Sequence, residues 1–573
     1  MKYIVFLSVF LTSALSAQLS RFSDHDLYEL GKVWGMVKYY HPAVSQGKVD
    51  WDAVLLQSFA NPSKPDVKEI TNQWLSTADQ SKFDEIVTKD MGCDSITLRN
   101  FDISWIKKLR KVAPEIKTRL VNLAAQPKNV GSFYSNPVEN SIRFSSSNEK
   151  VYDKFSVELK MLELFRIWNA VEYFYPYKYL LDNRWDDVLK KYIPMFRNIK
   201  SEKDYRSVAM QLSAELQDTH TEFENKYQYD VLGEMTAPFI FQMVDDKVLI
   251  TGIKDEAKMK KSGLETGDLI TKIDGKTILK IMDSKSKYFP YSNESVKISE
   301  TYNYLFSGNE KTMSVEGMKK DGKTFKTTVE RVKRIFNDEW DREGVPNYHL
   351  NYKGKTYEYL TYNEKENRLN PSFQIEDKVY FEFSSLKVSE IPALMETYKN
   401  TRGFVFDLRG YNNDGSLIKI FDYLLSKPEH FGIMTHADFS QPGKFCFVDN
   451  IIDKSYKFAG KINSDPYKGQ VVVLINEYTL SAAELWAMIF KKVPHVIFVG
   501  SQTAGADGNK TSIKLTNGNK LIFSGLGIYY PDGGETQRIG IKPNVMVRPT
   551  VQSIRNKEDV LLLKALELID QKK

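Results

Sequence analysis

The stretch VVVLINEYTLSAAELWAMIF, residues 471–490, decides how the C-terminal half of the chain is read. It opens as an unbroken apolar run rich in β-branched residues, the pattern of a strand covered on both faces. After a polar turn over 476–480, the apolar residues recur at helical spacing. Ser481 stands where the strand has stopped and the helix begins. Its hydroxyl is therefore predicted at a helix N-terminus, where the Ala482 N–H and the helix dipole can meet developing oxyanion charge, a good placement for a nucleophile. The same letters also spell a plain N-cap, with Glu484 at the third helical position completing a capping box.

Working outward, VYFEF (379–383), GFVFDLRG (403–410) and HVIFVG (495–500) are further short β-rich runs. Helical stretches at 391–400, 416–425 and 482–492 lie between and beyond them, which predicts an α/β domain on a largely parallel sheet. Upstream, from about residue 237, the texture changes to VLITGI (248–253) and SGLETGDLITKIDGK (262–276), in which Gly267 and Gly275 supply turn conformations that other residues resist. This segment resembles the end of a PDZ domain. The resemblance implies a β-rich module over 236–335 that adds an extended peptide to a sheet edge, with Gly267, Phe239 and Ile240 as substrate-binding positions.

The front of the chain repeats itself. Leu30, Val33, Trp34, Tyr39, Pro42, Trp51, Asp52, Val54 and Leu55 recur 134 residues later as Leu164, Ile167, Trp168, Tyr173, Pro176, Trp185, Asp186, Val188 and Leu189. Apolar residues at three- and four-residue intervals before each proline predict two copies of a helical hairpin within a helical region over 18–235, the copies spanning 30–55 and 164–189. An aromatic ligand cage is the alternative for the same Trp and Tyr residues.

Composition excludes several classes. With 42% apolar, 13% aromatic and 27% charged residues over 573 positions, the chain is folded and multidomain, not disordered. A net charge of +6, evenly spread, does not suit a nucleic-acid binder. Residues 1–17, MKYIVFLSVFLTSALSA, read as a secretory signal peptide, and no later run is long enough for stable membrane insertion. Export to the periplasm or cell exterior of a Gram-negative bacterium is the expectation. Cys93 and Cys446 have no CxxC companion; two buried free thiols are the expectation, with a disulfide formed in an oxidising compartment as the alternative. There is no HExxH and no P-loop, and neither a metal nor another cofactor is implied; the absence of a GxSxG elbow argues against an α/β-hydrolase.

Four segments, FDLRGYNNDG (406–415), NEYTLSAAE (476–484), VGSQTAGADGN (499–509) and PDGGETQRIGIKPN (531–544), occur in the order and spacing of the S41 serine peptidases, the family of the C-terminal processing and tricorn-core proteases. The resemblance implies a crotonase-like, ClpP-like α/β peptidase domain over 336–573, with Ser481 as nucleophile and, as oxyanion hole, the amide of Ala482 with that of Gly415 or a neighbour in the turn 409–415. The processing proteases carry a Lys base 25 residues after the serine, where this chain has Ala506. The tricorn-like branch uses a His from the helical region before the PDZ domain, and LQDTHTEF (216–223) resembles that motif, making His220 the implied base. A serine hydroxyl needs such a base near neutral pH. The position of the tricorn-type Glu that orients the His is held by Gln537, with Glu535 two residues earlier. The combined reading is a multidomain α+β exported serine endopeptidase acting on an extended peptide or unfolded protein through an acyl-enzyme. A catalytically weak or inactive S41-like peptide-binding protein is the alternative, motivated by Ala506 and Gln537. The oligomeric state is left open.

Overall fold

Helix caps and apolar spacing organise the front of the chain, which the computed structural model describes over residues 19–572 except 62–65, 87–92, 94, 127–132, 135, 138–143, 147, 153–154, 224–227, 335–348 and 450–457. The signal read over 1–17 lies outside the described residues. The chain forms two compact units. The first takes the residues up to 226 together with two later returns, 433–449 and 508–528; the second takes 227–432, 450–507 and 529–573.

In the first unit, α1 (Asp24–Tyr40) starts at a Ser23–Asp26 capping box, α2 (Trp51–Ala60) is capped by Asp50, and α3 (Val157–Phe174) by Ser156. The helices α4 (Trp185–Arg197) and α5 (Glu202–Ala214) follow. Each helix pair of the repeat is closed by a reciprocal indole clasp. Trp34 Nε1 donates to the Trp51 carbonyl at 3.1 Å and Trp51 Nε1 returns the bond to the Trp34 carbonyl at 2.9 Å; Trp168 and Trp185 do the same at 2.8 and 2.9 Å. All four indoles are buried, so they are core and not an open cage.

The offset of 134 also pairs Gly31 with Phe165 and Gly35 with Asn169, and these equivalents touch across α1 and α3. Asn169 Nδ2 donates to the Gly31 carbonyl at 3.0 Å, and a Cβ on Gly35 would fall 1.8 Å from Asn169 Oδ1. Lys32 pairs with Asp186 while its counterpart Arg166 pairs with Asp52, so the two copies exchange ion pairs reciprocally, as surfaces related by a local two-fold do.

Cys93 and Cys446 are joined in a disulfide, with Cα atoms 5.2 Å apart, which corrects the expectation of two free thiols. The strand Ser95–Thr97 pairs antiparallel with Phe445–Val448 of the first return, Ile96 opposite Cys446, and that pairing brings the sulfurs together.

Two large sheets organise the second unit, beside several two-stranded ribbons among the described residues. Strands β1 (Phe239–Val244), β2 (Lys247–Ile253), β3 (Leu269–Ile273), β4 (Thr312–Met318) and β5 (Thr324–Glu330) form an antiparallel sheet in the order β5-β4-β3-β2-β1, leaving β1 at an edge. Helices α6 (Glu256–Ser262), α7 (Ile278–Ser286) and α8 (Glu294–Tyr302) accompany it, α6 ending on Gly263 in the left-handed conformation. Met259, Ile278, Ile281 and Met282 fill its core with Phe239, Val248, Ile250 and Ile270.

The second sheet runs β6 (Ser372–Ile375), β7 (Lys378–Glu382), β8 (Gly403–Asp407), β9 (Gln470–Ile475), β10 (Ile497–Gly500) and β11 (Val545–Met546), in that spatial order, with every pair from β7 onward parallel. Alternation along β8 assigns its faces. Val405 joins the cluster under α10 (Val560–Gln571), with Leu562, Ala565 and Leu566, whereas Phe406 packs at a tilt, centroids 4.8 Å apart, against Phe490 of α9 (Ala482–Phe490). The stretch 416–425 is a 3-10 turn, Gly415–Ile420, running into a single helical turn, Phe421–Leu424.

Candidate active site

The parallel strands β7 to β11 end on one edge, and there the loops after β8, β9 and β10 are hydrogen-bonded together around the turn that carries Ser481. Open α/β sheets place their ligand sites outside these carboxyl ends. The turn after β9 is held by its own residues: the Asn476 N–H donates to Thr479 Oγ1 at 3.1 Å, and Thr479 Oγ1 donates to the Leu408 carbonyl at 2.9 Å, tying it to the loop after β8. Trp486 Nε1, on α9, donates to the Asn412 carbonyl at 2.9 Å and fixes that loop from the other side. The loop after β10 is joined through Ala504 N–H to the Thr479 carbonyl and Ser481 N–H to the Ala506 carbonyl, both at 3.0 Å. It is joined in turn to residues 536–541 by Arg538 N–H to the Gly505 carbonyl at 2.7 Å and Ile541 N–H to Thr503 Oγ1 at 2.7 Å.

Ser481 itself has φ 57° and ψ −120°, a conformation that non-glycine residues occupy only under constraint, and its side chain makes no capping bond. The plain-cap alternative is thereby corrected. Glu484, which would complete a capping box, reaches instead to Thr503 Oγ1 and to the Gly505 and Ala506 N–H groups at 2.8 Å each. Burial pushes its carboxyl up to about 7, while these donors and the Ser481 backbone pull the other way. Gly540 closes this corner at φ 59°, where a Cβ would come 2.4 Å from Thr503 Oγ1 and 2.9 Å from Glu484 Oε1.

Of the other sequence-derived positions in this unit, Ala482 is the first residue of α9 and Gly415 opens the 3-10 turn that Asp414 caps. Gln537 is buried and Glu535 partly exposed, bridging to Tyr529. Ala506, at the position of the processing proteases' Lys, is wholly buried. A groove of about 2310 Å³ runs along the sheet of β1 to β5 and the strand ends, lined by Ile240, Gly267, Tyr302, Arg409, Tyr411 and Tyr478 among others. Phe239 is corrected as a substrate-binding side chain: it is fully buried in the core of its own sheet, against Phe306 at 5.0 Å.

His220 belongs to the first unit. The strand Glu222–Phe223 pairs antiparallel with Lys520–Ser524, with Glu222 opposite Ile522, and the same register carried on sets Ser524 opposite His220. Nδ1 of His220 lies 2.9 Å from Ser524 Oγ, which donates to Asp218 Oδ1 at 3.1 Å. Asp218 also accepts the His220 N–H at 3.1 Å and the Ser524 N–H at 2.8 Å. Nε2 has no partner among the described residues. Burial lowers the imidazole's pKa, Asp218 opposes that shift, and Lys510 adds to it. Ser524 was not singled out by sequence reasoning, although Asn517-Gly518 between two alternating runs is a hairpin signal that brings its strand into view.

Comparisons with known proteins bear on the second unit most directly. Residues 380–547 match the family model described as Peptidase family S41. The protein named "Probable CtpA-like serine protease" from Staphylococcus haemolyticus (strain JCSC1435) is 23% identical over 354 residues, 59% of each chain. The "Nisin-resistance protein" of Lactococcus lactis subsp. lactis is 32% identical over 124 residues, 21% of this chain and 39% of that protein. The alignments thus span well under two thirds of these relatives' lengths. Among solved structures, mature CPAF complexed with lactacystin superposes with a TM-score of 0.56 at 13% identity, covering 73% of this chain and 99% of that one, a likeness of fold. No helix among the described residues is long and apolar enough to cross a membrane.

Proposed function

We propose that this chain, whose residues 380–547 match the model of peptidase family S41, is an exported serine endopeptidase with a His base in place of a Lys. The observation that carries this reading is the conformation of Ser481, a constrained residue at the carboxyl edge of the parallel sheet whose hydroxyl is not consumed as a cap. A serine held this way presents Oγ for attack, as nucleophile turns on other α/β sheets do. Ser481 attacks the scissile carbonyl, His220 Nε2 takes its proton and returns it to the leaving amine, and water then hydrolyses the acyl-enzyme. The N–H groups of Ala482 and Gly415 meet the oxyanion. Gln537 and Glu535 are the candidates to orient the base.

The β1–β5 module, read as PDZ-like, holds an extended peptide or unfolded protein through its β1 edge, with Ile240 and Gly267 bordering the groove. Export is supported by the Cys93–Cys446 disulfide, since such bonds persist in oxidising compartments. A second reading, an S41-like peptide-binding protein without turnover, is favoured by Ala506 and Gln537. A fluorophosphonate probe with adduct mapping by mass spectrometry separates the two. An adduct on Ser481 that is lost in His220→Ala supports the peptidase; no adduct in the natural protein supports the binding protein.

A further inference from the structure

We infer that Ser524 and Asp218 form a hydroxyl-bridged relay that fixes the tautomer of His220 and leaves Nε2 as its free base. This rests on the reading of His220 as the general base. Asp218 Oδ1 offers only acceptor capacity to Ser524 Oγ at 3.1 Å, so the hydroxyl proton is directed to the carboxylate. Ser524 Oγ can then serve His220 only as an acceptor, and the 2.9 Å contact is a bond donated by Nδ1–H. A neutral imidazole protonated at Nδ1 carries its lone pair on Nε2, the atom that is buried without a partner among the described residues.

The relay is rigid for reasons of its own. Asp218 is wholly buried and is pinned by the N–H groups of His220 and Ser524, one on each oxygen. Ser524 is wholly buried as well, at the end of a strand whose register sets it opposite His220. When Nε2 accepts a proton, the proton on Nδ1 stays in place and the ring's positive charge faces Asp218 through one hydroxyl. Asp218 thus does from beside the histidine what a carboxylate at position 537 cannot do in this chain. Ser524 and Asp218 are positioning residues; neither is asked to touch substrate.

The test is ¹⁵N NMR of full-length protein labelled at histidine, with the His220 signals identified by their loss in His220→Gln. The result expected is an Nδ1–H, Nε2-unprotonated signature in the natural protein and a mixture of tautomers in Ser524→Ala. Ser524→Thr, which keeps the hydroxyl, is expected to restore the single tautomer. Fluorophosphonate labelling of Ser481 should slow by about tenfold or more in Ser524→Ala and recover in Ser524→Thr. An Nε2–H tautomer in the natural protein, or a signature unchanged in Ser524→Ala, overturns the relay. The NMR result stands whether or not Ser481 labels at all, so failure of the relay and failure of the peptidase reading are told apart.

Discussion

Replacing Ser481 by Ala and by Gly separates a constrained nucleophile from a helix cap. At φ 57° and ψ −120° a side chain costs about 1–3 kcal/mol of backbone strain. Glycine relieves that strain but brings back about 0.5–1 kcal/mol of unfolded-state entropy, so Ser481→Gly should gain roughly 1 kcal/mol net. Ser481→Ala keeps the strained Cβ and removes a hydroxyl that makes no cap bond, so its stability should stay within about 0.5 kcal/mol of the natural protein. Urea unfolding of the three proteins, followed by tryptophan fluorescence and run side by side, reads the ordering Gly above Ala and Ser, with Ala and Ser coincident. Comparison of Gly with Ala isolates the Cβ, because neither has the hydroxyl. A loss of about 1 kcal/mol in Ser481→Ala, the worth of a cap, or a Gly variant less stable than Ala, would contradict a strained and uncapped Ser481.

Three further outcomes follow from the same geometry. Burial raises the Glu484 carboxyl from 4.5 to about 7, so the folded state holds this proton more tightly than the unfolded one; its contribution to stability is present below pH 4.5 and falls as pH rises to 7. The size of that fall is on the order of 3 kcal/mol, and Glu484→Gln should flatten the slope in urea titrations across this window. Reduction of Cys93–Cys446, which closes a loop of 353 residues, should lower stability by up to about 5 kcal/mol, read as a drop in thermal midpoint with dithiothreitol; two thiols reactive before reduction would contradict the bridge. Gly540→Ala places a Cβ 2.4 Å from Thr503 Oγ1 at a left-handed φ, and should cost about 1–3 kcal/mol with loss of fluorophosphonate labelling. Unchanged labelling and stability would show that this corner yields.

Features written into consecutive residues were legible in the sequence. The change of period within 471–490 announced the strand, the turn and the helix that present Ser481, and the spacing of Trp34, Trp51, Trp168 and Trp185 announced paired helices. What stayed hidden depends on partners far along the chain. The Glu484 carboxylate, read locally as half of a cap, is claimed by Thr503, Gly505 and Ala506. Cys446 finds Cys93 only because a three-residue strand pairs beside it. Ser524 bears no motif at all; the register opposite Glu222–Phe223 delivers it to His220 across 304 residues. Phe239 was misjudged because an edge strand still has one face turned to its own core.

The two late returns of the chain to its first unit set an order in time. Residues 433–449 and 508–528 are made long after residue 226, by roughly tens of seconds at ordinary rates of synthesis, and until they emerge the N-terminal unit is unfinished. A nascent or truncated chain ending between 481 and 508 has Ser481 and His220 but lacks Ser524, and one ending before 446 cannot close its disulfide. The surroundings of His220 are completed only when nearly the whole polypeptide exists, so under the proposed mechanism the connectivity itself holds back the base until almost all of the chain has been made.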